Sequence, residues 1–110
     1  DEVIESAYSN LINTIICHED AQMELDRAKT AWEAAYQDGL VAGTITGKNE
    51  NERQASAREF YSGFWNDYQE AKKDAAECHK DYKVAELEAK SIGKLLELMK
   101  IRALAAGVLS

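Results

Sequence analysis

The strongest constraint in the sequence is an apolar repeat in its second half. Steps of four and three residues in alternation meet an apolar or aromatic side chain at fifteen successive positions, which are Ala57, Tyr61, Phe64, Tyr68, Ala71, Ala75, Cys78, Tyr82, Ala85, Ala89, Ile92, Leu96, Met99, Ala103 and Ala106. This is the heptad spacing with which one helix packs along another. We call this line of residues the seam, and it predicts one helix over about residues 50–106.

A weaker repeat with the same spacing occupies the first forty residues. Its positions are Ile4, Tyr8, Leu11, Ile15, His18, Gln22, Leu25, Lys29, Trp32 and Tyr36. Alanines lie beside its polar middle and allow the contact face to shift, namely Ala7, Ala21, Ala28, Ala31 and Ala35. Small residues let two helix axes approach closely. The repeat predicts a first helix over about residues 2–38.

One break separates the two helices, because three of the six glycines lie between residues 39 and 47 and proline is absent. We therefore predict an all-α fold in which residues 1–110 form a single domain, a long antiparallel, coiled-coil-like helical hairpin with a loop at 39–49. Gly39 is expected to end the first helix in a left-handed conformation. Asn49 and Glu52 fit an N-cap with a carboxylate that reaches back. The loop could be structural or could bind a partner.

Two registers of the hairpin stay open. Pairing residue 38 with residue 51 places Leu11 beside Cys78. A shift by one heptad places Trp32 beside Phe64. In both registers the second helix extends past the start of the first.

Both helices carry more large apolar residues near the open end of the hairpin than one contact stripe can bury. Burial of each such side chain is worth about 1.5–3 kcal/mol, so a partner is expected to cover them. We predict a homodimer or higher oligomer that forms a four-helix bundle, with an interface at Ile4, Leu11, Ile12, Ile15, Ile92, Leu95, Leu96, Leu98 and Met99. A membrane-surface helix is the alternative for the end of the second helix, which also carries Lys90, Lys94, Lys100 and Arg102. The apolar start of the first helix favours the oligomer.

Charge argues against a nucleic-acid partner. The net charge is −7, and residues 1–47 hold nine acidic side chains against only Arg27 and Lys29. A nucleic-acid-binding protein needs a basic surface against the phosphates. The same acidic half leaves a second hypothesis open, in which the protein mimics DNA and inhibits a nucleic-acid-binding host protein.

The two cysteines, Cys17 and Cys78, are expected to be reduced and not bonded to each other. In either register they lie at different levels or on different faces of the hairpin, and a disulfide needs Cα atoms within about 7 Å. Reduced thiols, together with the lack of an apparent signal peptide or membrane span, predict a cytoplasmic location. For a protein encoded by a phage this would be the host cytoplasm.

No catalytic, cofactor-binding or metal-binding residues are predicted, and an enzyme is not expected. The dipeptides Cys17-His18 and Cys78-His79 offer a zinc-like set, but adjacent residues on a helix point about 100° apart and rarely hold one ion. Carboxylate-bridged metal pairs need Glu-x-x-His, which neither histidine has. The loop lacks the first glycine and the hydroxyl residue of a phosphate-binding loop. Trp65 lies off the seam and is the candidate contact for a partner protein.

The loop from Gly43 to Arg53 has the form Gly-x-Ile-x-Gly-Lys-Asn-x-x-Glu-Arg and precedes a long helix rich in alanine and charge. In this it resembles small uncharacterised phage and prophage proteins, over roughly residues 39–100. The resemblance implies a mobile-element origin and brings no activity with it. The sequence thus predicts a non-enzymatic, oligomeric phage-type protein that acts by binding another protein.

Overall fold

A computed structural model describes residues 2–109 of the chain. They form three α-helices, α1 (Glu2–Ala42), α2 (Glu50–Phe60) and α3 (Ser62–Leu109), and no strand occurs in this range. The long helices α1 and α3 pack against each other, so the predicted all-α helical hairpin is confirmed.

The chain divides into two compact units, each built from parts of both arms. The loop unit consists of residues 19–77 and contains α2 with the adjoining parts of α1 and α3. The terminal unit consists of residues 1–18 and 78–110. Each unit has its own packing, and the two differ sharply in what they bury.

The loop unit has a core of two large side chains and one alanine. Trp32, Ile45 and Ala57 are buried, and partly buried side chains pack against them, namely Tyr36, Leu40, Tyr61, Trp65 and Tyr68. The buried alanines Ala28, Ala35, Ala71 and Ala75 are the other buried hydrophobic residues of this unit. The contact face of α1 in this unit therefore includes Ala28 and Ala35, two of the alanines that lie beside the first repeat, as the sequence suggested.

The end of α1 differs from the prediction. The helix continues through Gly39 to Ala42, and the left-handed residue is Gly43, with φ of 75°. The Gly39 carbonyl accepts hydrogen bonds from the N–H groups of Thr44 and Ile45, at 3.0 and 3.1 Å. Gly39 is needed for another reason, because a Cβ there would lie 2.6 Å from Ile45 Cδ1. The absence of its side chain is what lets Ile45 fold back into the core.

The start of α2 follows the predicted capping pattern. The Asn49 side chain accepts a hydrogen bond from the Glu52 N–H at 2.9 Å. The Glu52 carboxylate reaches back and accepts from the Lys48 N–H at 2.6 Å. These bonds satisfy backbone donors that a helix start leaves without intrahelical partners. The predicted N-cap is confirmed.

A single residue, Tyr61, separates α2 from α3, so the prediction of one continuous helix over 50–106 was wrong. Tyr61 has φ of −116° and ψ of 41°. Its N–H still donates to the Ala57 carbonyl at 2.8 Å, and its carbonyl accepts from the Trp65 N–H at 3.1 Å. Helical backbone hydrogen bonds therefore continue up to Tyr61 and from Tyr61 onward.

The break also changes which aromatic residue faces α1. Phe64, a seam position, is exposed, and Trp65 instead packs on Trp32 with ring centroids 5.0 Å apart. This contact selects the second of the two registers, the one that brings Trp32 beside residues 64–65.

Gly47→Ala is expected to lower the free energy of unfolding of the loop unit by about 2–4 kcal/mol. An added Cβ would lie 2.7 Å from the Arg53 backbone nitrogen, and the φ of +154° is strained for any other residue. Backbone atoms held in a helix cannot give way as a side-chain tip can. Urea unfolding measures the effect. Gly63→Ala is the matched control, since open space surrounds that position, and an equal loss in both variants would contradict this account.

Candidate protein interaction surface

The terminal unit buries only small side chains. Its buried hydrophobic residues, among the side chains described, are Ala7, Ala85 and Ala89. Alanine has little apolar area to remove from water, so the helix contact in this unit contributes far less than a core of leucines would. The large apolar side chains of the same helices lie elsewhere.

Those large side chains are exposed along both helices of the terminal unit. We call this set the apolar surface; it comprises Val3, Tyr8, Ile12, Ile16, Val84, Leu87, Leu95, Leu96, Leu98, Met99, Ile101 and Leu104. Leu87 and Leu104 keep 64% and 66% of their area accessible. Single exposed apolar residues are ordinary, whereas a set of this size on one unit is the pattern typical of interaction sites.

The nine predicted interface residues all lie in the terminal unit. Leu95, Leu96, Leu98, Met99 and Ile12 are exposed and belong to the apolar surface. The other four, Ile4, Leu11, Ile15 and Ile92, are half-buried. Their exposure fits an interface, and their role in one stays a prediction.

An open groove of about 820 Å³ lies between α1 and α3 in this unit. It is lined by Val3, Ser6, Ala7, Asn10, Val84, Leu87, Glu88, Ser91 and Ile92. Val84 and Leu87 were not among the predicted interface residues. The signal for them was present, because both are large apolar residues of the second helix that lie off its seam. A groove between two helices accepts a third helix when its walls are apolar.

The cysteine prediction was wrong, because Cys17 and Cys78 form a disulfide. Their Cα atoms lie 5.9 Å apart, within the range that a disulfide bridges. The register explains the error. With Trp32 beside residues 64–65, residue 17 comes level with residues 79–80, within two positions of Cys78, so this register brings the two cysteines close and the expectation that they lie apart was wrong.

Two histidines adjoin the disulfide. The His18 ring lies 5.1 Å from the His79 ring and stacks on Tyr82 at 5.7 Å, measured between centroids. Since the two sulfurs are bonded to each other, the histidines are the remaining donors of the zinc-like set. Across residues 2–109, no group of three or more His, Cys, Asp or Glu side chains is arranged to hold a metal ion.

The polar groups beside this cluster are engaged in a local network. The Tyr82 hydroxyl donates to Glu86 Oε2 at 2.6 Å, and Lys83 and Lys90 lie within 4 Å of the same carboxylate. The hydrogen bond from Tyr82, followed by the two lysines, lowers the pKa of Glu86, and the same bond raises the pKa of Tyr82. Both shifts favour a charged carboxylate and a neutral phenol, which is a structural pairing and supplies no general base.

Trp65, the candidate partner contact, makes its visible contacts within the loop unit. Its ring packs on Trp32 and meets Tyr68 edge-on at 6.2 Å. The Arg58 guanidinium lies 4.6 Å from the ring centroid, a distance at which a cation is attracted to the aromatic face. These contacts explain why an off-seam tryptophan occurs here without a partner protein. A partner contact at Trp65 stays a prediction.

Comparisons with protein-family models, with characterised proteins and with solved structures find no match to this chain. Within residues 2–109, no helix has both the length and the apolar content needed to cross a membrane.

Proposed function

We propose that this protein is a non-enzymatic, self-associating helical hairpin that acts through protein–protein contacts, and that its terminal unit is the interface. One observation carries the proposal: the terminal unit buries alanines and exposes its large apolar side chains. A second copy of the chain would cover them. Two hairpins joined in this way place four helices side by side, which is the four-helix bundle expected from the sequence.

A phage or prophage origin is part of the proposal. It is supported by the resemblance of the loop, whose characteristic residues have structural roles in this chain. Ile45 enters the core, Gly47 lies against the α2 backbone, and Asn49 caps α2. Because these loop residues stabilise the fold, the loop pattern fits a hairpin fold shared with the phage proteins and implies no activity. The cytoplasmic location is also retained as a proposal, although a disulfide is more typical of oxidising compartments.

The acidic-mimic hypothesis receives less support. The acidic residues of α1 are exposed. However, Arg27 pairs with Glu24, and Lys29 lies 4.0 Å from Glu33, so the middle of the acidic row is partly neutralised. A mimic of the phosphate backbone would bind its target with a steep dependence on salt concentration.

The self-association is tested by light scattering on the purified protein and on the Leu95→Glu, Leu98→Glu double variant. We expect the wild type to be a dimer or higher oligomer and the variant to be monomeric and still helical, because burial of each new charge in the interface would cost several kcal/mol. Both positions are exposed in the single chain, so its own fold does not oppose the change.

The matched control is Met23→Glu, Val41→Glu, which adds the same charges at exposed apolar positions of the loop unit. This control should keep the oligomer intact. A wild-type protein that stays monomeric at high concentration would overturn the proposal.

A further inference from the structure

We propose that the Cys17–Cys78 disulfide is a redox-controlled latch of the terminal unit. In the oxidised state it holds the start of α1 and the end of α3 together. When a dithiol reduces it, these two helical segments separate while the loop unit stays folded. The two segments carry the apolar surface, so the latch also regulates the proposed self-association, and this second part of the inference rests on the proposed function.

The contacts between the two helices of the terminal unit are weak apart from the disulfide. The buried hydrophobic side chains described there are alanines, which remove little apolar area from water. The side-chain hydrogen bonds and ion pairs described for this unit each lie within one helix, as from Tyr82 to Glu86. The ring contacts of His18 with His79 and Tyr82 do cross between the helices, next to the disulfide. The covalent bond is therefore the main link between the two segments.

The two units differ in what remains after the bond is broken. A helix without a packed partner is marginally stable in water, because most of the stability of a helix in a protein comes from its buried face. Segments 2–17 and 79–109 would be left in this condition. The loop unit keeps its own core of Trp32 and Ile45 with the Trp65 ring, and neither cysteine belongs to that core. Opening is therefore expected to be confined to the terminal unit.

The disulfide is accessible to a reductant from the α1 side, because Cys17 is exposed whereas Cys78 is half-buried. A thiolate of the dithiol attacks Sγ of Cys17, the bond between the two sulfurs breaks, and Cys78 leaves as a thiolate that takes up a proton. The second thiol of the reductant then attacks the mixed disulfide and releases Cys17. Two electrons and two protons pass to the protein, which then holds two thiols, and the reductant becomes a disulfide.

The proposed cytoplasmic location agrees with a bond that is made and broken. Disulfides in reducing compartments are mostly transient or redox-sensing, and exposed disulfides are reduced more readily than well-protected ones. The exposed position of Cys17 therefore fits a regulated bond better than a permanent cross-link.

Reduction would remove the groove of the terminal unit, because both helices line it. Val3 and Ala7 belong to its α1 wall, and Val84, Leu87 and Ile92 belong to its α3 wall. The proposed self-association needs the assembled surface in both copies. If reduced chains hold this surface for about one third of the time, the dissociation constant rises about tenfold, since the loss applies to each copy.

Hydrogen exchange followed by mass spectrometry tests the latch in the Leu95→Glu, Leu98→Glu variant, in which a second copy is not expected to protect the amides. The informative stretches are residues 7–17 and 79–89, which lie between the buried alanines and the disulfide. We expect dithiothreitol, a dithiol, to speed amide exchange there at least about tenfold, because loss of the cross-link lets the helices open. Exchange in residues 19–77 should change by less than about twofold.

The matched control is Cys17→Ser, Cys78→Ser in the same background. It should exchange rapidly in both stretches with or without dithiothreitol, which shows that the reductant acts through the disulfide alone. Exchange that does not change on reduction of the parent variant would overturn the latch. A rise of equal size in residues 19–77 would also overturn it, since the bond would then stabilise the whole chain.

Sedimentation equilibrium of the wild type, with and without dithiothreitol, tests the link to self-association. We expect the oxidised protein to be a dimer or higher oligomer and the reduced protein to associate at least about tenfold more weakly. A monomeric oxidised protein would overturn the proposed function, and the exchange measurement would still decide whether the bond is a latch. An oxidised oligomer that associates equally well after reduction would leave the self-association standing and overturn its regulation.

Discussion

Trp32→Ala is expected to lower the free energy of unfolding of the loop unit by about 3–5 kcal/mol, the range measured for loss of a buried tryptophan. Trp32 is 6% exposed and is the largest buried side chain described in this chain. Its ring touches Tyr36 and Trp65, and its cluster includes Ile45 and Ala57. With so few large residues in the core, neighbouring side chains cannot refill the space, so the cavity would remain.

Chemical unfolding, followed by circular dichroism, measures this change. Met23→Ala is the control, because Met23 is on the same helix in the same unit and keeps 71% of its side chain accessible. That variant should change the unfolding free energy by less than about 0.5 kcal/mol. A loss below about 1 kcal/mol in Trp32→Ala would mean that the aromatic cluster does not hold the loop unit together.

The fold was predictable from the sequence where one spacing dominated. The 4–3 repeat of α3 identified the hairpin, and its alanines are buried from Ala57 to Ala89 wherever they occur on the seam. Beyond Ile92 the seam residues are exposed, as the excess of apolar residues there had suggested. A repeat determines which face of a helix is apolar and leaves open what covers it.

The register could not be derived from the repeat. Heptads that slide by seven residues present the same pattern, so only a contact specific to one level could decide between the two pairings. Here that contact is Trp32 with Trp65, and it depends on the one-residue break at Tyr61. The wrong prediction that Gly39 ends α1 has a similar origin, because a glycine can be required either for close packing, here against Ile45, or for helix termination.

The missed disulfide followed from the open register. Cys17 and Cys78 are 61 residues apart in sequence, and only the shifted pairing brings them close. The rule that two lone cysteines are usually reduced thiols depends on the cellular compartment, and it does not predict how far apart the two Cα atoms lie.

Loss of the disulfide is the second large effect that we expect. Cys17→Ser, Cys78→Ser should lower the free energy of unfolding by about 2–4 kcal/mol, because the bond closes a loop of 61 residues and restricts the unfolded chain. The effect should be concentrated in the terminal unit, whose buried residues are alanines and which therefore depends most on the cross-link.

The measurement is thermal unfolding of the wild type and the double variant at one fixed protein concentration, because self-association also stabilises the folded state. Either single serine variant should lose as much as the double variant, since each removes the same bond. Wild-type protein in reducing buffer should match the variants. Unfolding that is identical with and without reductant would contradict a stabilising role. Alkylation of the thiols in freshly lysed cells, followed by mass spectrometry, then tests the cytoplasmic proposal, because a fully oxidised pair there is uncommon in a reducing compartment.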